Sequence, residues 1–432
     1  MKIGYALRDI TPDRPYPMSG FDLRQECAEG VHDPLAVRVL AVEEDAGGKI
    51  QRKLLINYDL LGISMDMTDQ VIGKMEEELG LTRSEVQVCA THTHAAPKSI
   101  FSSFACYDPE YRERIASLAA QAAKEAFDDM KEAKAVLHTG TVEGVASFRD
   151  SVREMSHFDM PCDAIWFDVE GAEPVLLLTY HTHPTVMNEK NMLNSRDLVY
   201  GCDKALHEAL PNARTIFFNG ACGDISTRYT RLESSFEEVD RLGKVWADKV
   251  LSMLKEEGIA LSESYQVCRG EALFVPPAAF FDDETRKDVL AYLEKKIEDC
   301  QDTEQKREYI SCRSVLLREF YGKNRDGSPK DGEEVWISIM SLGPALMVFL
   351  PFEYSQRQAA NLKAEVKKKL ERLPGGEKMI VEIIGYSNGY EGYLPSGRKL
   401  DKDSGYMDIG SSFHSESSRL LADKVLSMMD EV

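Results

Sequence analysis

Two short apolar runs in this chain stop at the same polar pattern, His-x-His. Glu85–Ala90 runs into Thr91-His92-Thr93-His94, and Pro174–Tyr180 runs into His181-Thr182-His183. Runs this short, rich in Val or Leu and bounded by polar residues, read as buried strands rather than helices. The pattern asks for a fold in which several buried strands end at polar, histidine-bearing positions. Between such runs the sequence turns helical. Met65–Gly80 has apolar residues at helical spacing and a Gly stop, and Asp108–Met130 opens on Asp-Pro, a helix-start signal. Lys53–Asp59 reads as a further strand, Asp203–Leu210 as a helix, Arg214–Asn219 as a strand and Glu237–Glu257 as a long amphipathic helix. Val335–Met340 and Ala345–Leu350 read as a hairpin about Leu342-Gly343-Pro344. A helix over Tyr354–Leu373, a strand over Met379–Gly385 and a closing helix over Glu416–Asp430 follow. The expectation is an α/β fold of mixed sheets flanked by helices.

Asp282–Glu319 stands apart, being highly charged, helical in pattern and poor in turn residues. It reads as a helical pair inserted between strands. No Ser/Gly/Pro-rich linker divides the chain, so residues 1–432 are expected to form a single domain. The heptapeptide Ala-Asp-Lys-Val-Leu-Ser-Met occurs at Ala247–Met253 and again at Ala422–Met428. Either two helices pack alike or amphipathic composition repeats by chance.

The charge balance narrows the partners. With 52 Lys plus Arg against 73 Asp plus Glu, the net charge is −21. That disfavours nucleic acid and anionic membrane, which need clustered cations. No apolar run approaches a membrane span, and the start, Met1-Lys2-Ile3-Gly4-Tyr5, lacks a secretory apolar stretch, so stable membrane insertion is not expected and a cytoplasmic location is. The nine Cys are odd in number and scattered, with no C-x-x-C pair, which speaks against a disulfide framework or a zinc ribbon.

Spacing of two on a strand puts both imidazoles of a His-x-His pair on one face. Val86, Val88 and Ala90 share the parity of His92, so a core face turns into histidine at the strand's end. Strand ends in α/β proteins are where ligands bind. Two such ends brought together would supply neutral nitrogen ligands suited to Zn²⁺; the alternative is a set of hydrogen-bonded structural histidines. A catalytic zinc needs three or four protein ligands and one open position. Glu353, after Leu350-Pro351-Phe352, is a candidate oxygen ligand, or else a helix-start carboxylate favoured by the macrodipole. Tyr386, Tyr390 and Tyr393 crowd a Gly-rich segment and read as a pocket wall or as packed core. Asn219-Gly220-Ala221-Cys222-Gly223-Asp224-Ile225-Ser226 follows a strand and permits close backbone approach, but it is neither a nucleophile elbow nor a P-loop.

Six segments occur in order: Asp9-Ile10-Thr11-Pro12, Thr91-His92-Thr93-His94-Ala95-Ala96-Pro97, His183-Pro184-Thr185, Gly223-Asp224-Ile225-Ser226, Pro351-Phe352-Glu353 and Asn388-Gly389-Tyr390-Glu391-Gly392-Tyr393. Together they resemble the catalytic N-terminal domain of the neutral/alkaline non-lysosomal ceramidases, zinc amidohydrolases that cleave the N-acyl bond of ceramide. The resemblance runs from about Lys2 to Phe413 and is weakest in the charged insertion. It implies metal ligands at His92, His183, Glu353 and Tyr393. It implies that His94 lines the site, that Arg149 (in Ser147-Phe148-Arg149-Asp150-Ser151) and Tyr406 belong to the active site, and that Ser226 is a nucleophile or a substrate-binding group. Ala95-Ala96 stands where the family has S-G, Thr227-Arg228 where it has P-N, and the chain leaves no room for the family's C-terminal immunoglobulin-like domain.

The resemblance implies a zinc-dependent hydrolase of a linear amide, in which metal-activated water attacks the carbonyl. With the acidic surface, the expected partner is a small N-acyl amide, soluble or lipid-like. The alternative is a non-catalytic relative that binds a ligand or partner through the same pocket.

Overall fold

The computed structural model describes residues 1–432 apart from 22–23, 25, 46–47, 100–107, 150–159, 261–265, 320, 325–326 and 431–432. Asp150 and Ser151 of the Arg149 segment fall outside the described residues.

The larger sheet carries eight strands in the spatial order Arg214–Asn219, Val175–Tyr180, Met160–Val169, Lys131–Val142, Lys2–Asp9, Ala36–Asp45, Ile50–Tyr58 and Val86–Ala90; a short strand, Ile259–Ala260, pairs off this path with Lys131–Val142. Its middle is antiparallel. Only the two outermost pairs are parallel: Arg214–Asn219 with Val175–Tyr180, and Ile50–Tyr58 with Val86–Ala90. Both His-x-His strands thus belong to parallel pairs at opposite ends of the strand order. The second sheet orders Cys268–Val275, Glu333–Leu342, Ala345–Phe349 and Ile380–Ile384, with the last pair parallel and the expected hairpin antiparallel.

The sheets pack on a shared core in which Leu55, Cys89 and Phe218 of the first meet Met340, Phe349 and Ile384 of the second. Each fully buried aliphatic or aromatic side chain of this kind contributes about 1.5–3 kcal/mol. Helix Pro109–Asp128 covers the other face of the large sheet. Asp108 caps it, accepting from the backbone N–H of Glu110 and Tyr111 at 2.9 and 3.2 Å, with Pro109 in the first turn. Its buried face is mostly alanine (Ala116, Ala119, Ala120, Ala123, Ala126), which lets the backbones meet closely. A Cβ on Gly4 would fall 1.7 Å from the Ala126 carbonyl oxygen, so only glycine fits beneath the helix there.

Helices form at the expected places, with shifted boundaries: the one expected to reach Glu257 ends at Met253, and the one expected over Tyr354–Leu373 spans Gln356–Leu370. The helix expected from Asp203 begins at Leu198, where the Asp197 carboxylate accepts from Leu198 N–H at 2.7 Å. The two copies of the heptapeptide lie in helices Phe236–Met253 and Ser417–Met428. Each buries its Ala, Val and Met, one set in the core of the large sheet and the other in that of the small sheet.

The charged segment forms helices Asp283–Asp299 and Thr303–Leu316 between two strands of the second sheet. Val289, Leu293, Cys312, Val315 and Leu316 make a small core of their own, which closes on Ile409 and packs against Tyr406. Among the described residues, no helix is long and apolar enough to cross a membrane.

Candidate functional site

Four strand ends meet at one place. Val86–Ala90 delivers His92, Val175–Tyr180 delivers His183, Ala345–Phe349 leads to Glu353, and Ile380–Ile384 leads to the tyrosine-rich segment. Asn219, the last residue of Arg214–Asn219, ties the two histidine segments together. Its side-chain amide donates to the Thr91 and Thr182 carbonyls at 3.1 and 3.0 Å.

His92 adopts φ +67°, a left-handed conformation uncommon for a residue other than glycine. Its ring Nδ1–H donates to the Leu61 carbonyl at 2.8 Å, which leaves the Nε2 lone pair free. His183 is oriented likewise, with Nδ1–H shared between the Cys222 and Ile225 carbonyls at 2.8 and 2.9 Å. Both Nε2 atoms turn to Glu353: its Oε2 lies 2.9 Å from His183 and 3.5 Å from His92. Burial, with the nearby Arg149 charge, lowers the His183 pKa to about 4, so the ring is neutral at pH 7. Burial pushes the Glu353 carboxyl up, but the two histidines more than offset this and hold it well below the usual range.

The first His-x-His pair does share a face. His94 Nε2 lies 3.2 Å from His92 Nε2, and the ligating atoms of His92, His94 and His183 all fall within 4.8 Å of one another. Unlike the other two, His94 has no anchor on the far nitrogen, since among the described residues its buried Nδ1 has no partner. The second pair departs from the one-face expectation. The strand ends at Tyr180, so strand parity no longer holds at 181–183. His181 turns away to Gln356 Oε1 (2.6 Å) and Glu382 (3.7 Å), its ring lying where a Cβ on Gly220 would need to be.

The tyrosines divide their work. Tyr386 stacks on His92 with ring centroids 4.0 Å apart, and Tyr390 donates its hydroxyl to Glu353 Oε1. The Tyr393 hydroxyl accepts from both terminal nitrogens of Arg149 at 2.8 and 3.2 Å. Arg149 also donates to the Gly223 carbonyl at 2.8 Å. Its place is set by the short ribbon Ser147–Phe148, which pairs with Ile225–Ser226. Tyr406 packs edge-on against Tyr393, centroids 5.4 Å apart. Ser226 is 5% exposed; its hydroxyl accepts from Arg228 N–H at 3.2 Å, and among the described residues no imidazole or carboxylate is hydrogen-bonded to it.

A cavity of about 530 Å³ opens from His94, His183, Glu353 and Tyr393 past Ser226 toward the inserted helix Thr303–Leu316. Sequence reasoning missed that helix's share in the site. Its Glu308 accepts from Arg228 at 2.6 Å and from Tyr406 N–H at 3.2 Å, joining the Ser226 and Tyr406 segments. Nothing in a charged helical run marks one Glu as such a bridge. Asn219 and Gln356 were equally unmarked.

The residues fit a divalent cation. With Nδ1 of both His92 and His183 turned to backbone carbonyls, both Nε2 atoms face the Glu353 carboxylate.

Residues 1–215 match the family model for neutral/alkaline non-lysosomal ceramidase, N-terminal. Among solved structures, the chain is similar to the neutral ceramidase from Pseudomonas aeruginosa, with 15% identity and a TM-score of 0.76 over 99% of this chain and 73% of that one. A structure described as ceramidase complexed with C2 matches at 14% identity and a TM-score of 0.76, over 98% and 74% of the two chains. At such identities the likeness shows the fold. No curated protein matches the chain.

Proposed function

We propose that this chain, whose residues 1–215 belong to the neutral/alkaline non-lysosomal ceramidase family, is a metal-dependent hydrolase of linear N-acyl amides. The observation that carries the reading is the convergence of two carbonyl-anchored imidazoles and one buried carboxylate at the mouth of a cavity. His92, His183 and Glu353 would hold the metal, with Tyr393 as the fourth ligand once its hydroxyl shifts from Arg149. Neutral imidazole and carboxylate suit Zn²⁺. A zinc ion bound there lowers the pKa of water toward about 7 and polarises a carbonyl oxygen.

The protein's own groups do the rest. Arg149, held by Gly223 O and Tyr393, presents a fixed cation where negative charge develops on the amide oxygen, and Tyr406 packs beside it. His94, beside His92 and without a partner on Nδ1 among the described residues, is the imidazole placed to take a proton from the attacking water and deliver it to the leaving nitrogen. Water oxygen bonds to the carbonyl carbon, the C–N bond breaks, and a carboxylate and an amine depart. Ser226, without a base beside it, acts as a binding group.

The test is release of free amine from a panel of N-acyl compounds by metal-replete protein. Activity should vanish in chelator and return with zinc. Metal-replete protein that releases no amine from any member would overturn the reading.

A further inference from the structure

The cavity wall facing the metal ligands is ionic. For a chain of net charge −21, seven of the residues lining this cavity are Lys or Arg and five are Glu, one of which is Glu353. Apolar cover comes from scattered side chains, Phe21, Leu61, Ile310 and Phe413, with the rings of Tyr390, Tyr393 and Tyr406. Long alkyl tails gain about 0.8 kcal/mol per buried methylene, and only against apolar walls.

Within that wall the inserted helix and the loop after Ser226 bring three guanidinium groups together. Arg228 is taken by Glu308 at 2.6 Å. Arg228 and Arg231 each lie 3.7 Å from Glu304 Oε2 and Arg307 lies 3.1 Å from Glu304 Oε1; Arg231 also donates to the Thr185 carbonyl at 2.5 Å, and Arg307 lies 3.9 Å from the half-exposed Glu189. Glu304 Oε2 is buried and has no hydrogen-bond partner among the described residues, so the sharing is incomplete. Two guanidiniums around one poorly engaged carboxylate, at the wall of a cavity that begins at the metal ligands, make a receptor for an anion.

We infer that the amide substrate carries a small anionic group, carboxylate or phosphate, which Arg231 and Arg307 bind at the cavity wall formed by the inserted helix and the loop after Ser226. This rests on the hydrolase reading and names its substrate class. The inserted helix then serves recognition, because it supplies Arg307 and Glu304. Recognition at that wall fixes the amide at the reacting centre and raises kcat/KM for charged substrates over neutral ones.

The test uses matched pairs with metal-replete protein: N-butanoylglycine against N-butanoylglycinamide, and N-butanoyl phosphoethanolamine against N-butanoylethanolamine. The charged member of at least one pair should be preferred 10- to 100-fold in kcat/KM, and the preferred pair identifies the anion. In Arg307→Gln and Arg231→Gln the ratio should fall toward one, and in Arg307→Glu below one. Equal turnover of charged and neutral members overturns the inference and leaves the hydrolase reading standing. If no amide is cleaved, calorimetry with the same compounds still decides. Charged members should bind at least tenfold tighter than neutral ones, and Arg307→Glu should abolish the difference. A preference that survives Arg307→Glu assigns the anion to the metal instead and overturns the inference.

Discussion

His183 Nε2 stands 2.9 Å from Glu353 Oε2, both side chains buried at the wall of the cavity. The His183 proton is engaged elsewhere, by the Cys222 and Ile225 carbonyls. A metal cation between the two atoms would bind both, which gives the site its first prediction. Protein purified without added metal should contain close to one equivalent, mostly zinc. His92→Ala and His183→Ala should each lose it. His94→Ala should retain most of the metal and lose turnover, because no hydrogen bond on its far nitrogen fixes it as a ligand. Elemental analysis of the three variants checks this, and a metal-poor His94→Ala would move His94 into the ligand set.

The second prediction concerns the Ser226 hydroxyl. Its one hydrogen bond is from Arg228 N–H, a local turn contact, and a serine nucleophile needs a base within reach. Ser226→Ala should therefore slow catalysis by about 10–1000-fold, the cost of one positioned hydrogen bond, without abolishing it. Mass spectrometry during turnover should find no acyl adduct; an adduct on Ser226 would show that the serine, not water, attacks.

How far the sequence revealed this structure depends on where charge sits. The strands that read clearly, such as Val175–Tyr180, are buried on every residue. Ala36–Asp45 is nearly as buried, yet its interior Arg38 breaks the apolar run, and only the fold reveals the partner that makes that charge tolerable, Asp59 at 2.6 Å. Lys131–Val142 alternates buried with exposed positions and mixes in Lys and Glu, so it lacks the continuous signal. In the site, residues with distinctive chemistry (His92, His183, Glu353) could be picked out by type. Residues acting through ordinary amides or carboxylates (Asn219, Gln356, Glu308) could not, since their roles come from positions far apart in sequence. His181 shows the limit of periodicity: one residue past Tyr180, the last in the ladder, parity no longer fixes direction.

The third prediction is about stability and its pH dependence. Asp203 is bonded to Arg196 at 2.7 Å and faces His207 at 3.3 Å. Burial pushes its carboxyl up, but Arg196, His207 and Arg38 more than offset that and hold it well below the usual carboxylate range. A depressed folded-state pKa gives stability that is present above the unfolded value of about 3.9 and is lost as pH falls toward the folded value. Asp203→Asn should destabilise by about 3 kcal/mol at neutral pH, because buried Arg196 keeps only its longer contact to Asp33, at 3.5 Å. Urea unfolding across pH should show the gap between the two proteins closing below about pH 4. A gap constant from pH 7 to pH 3 would mean that the ion pair is not its source.

The last prediction tests the joint between the two histidine segments. The two parallel strand pairs that carry His92 and His183 lie at opposite ends of the sheet's strand order, so their ends do not meet through the ladder itself. Asn219 closes that gap, one amide nitrogen donating to Thr91 O and Thr182 O, the carbonyls next to the two ligands. Asn219→Ala leaves both buried carbonyls short of a donor, at about 1–3 kcal/mol each. Asn219→Asp keeps the shape but places a carboxylate against two carbonyls, and should be worse. The effect on metal should exceed what the stability loss alone explains, because the ligands lose their relative positions. An outer contact of this kind is worth about 10–100-fold in metal affinity. Competition with a zinc chelator measures that affinity on folded protein, separately from a urea midpoint. A variant that is destabilised but binds metal as tightly as the parent would show that Asn219 supports the fold alone and that the strands hold the ligands in place without it.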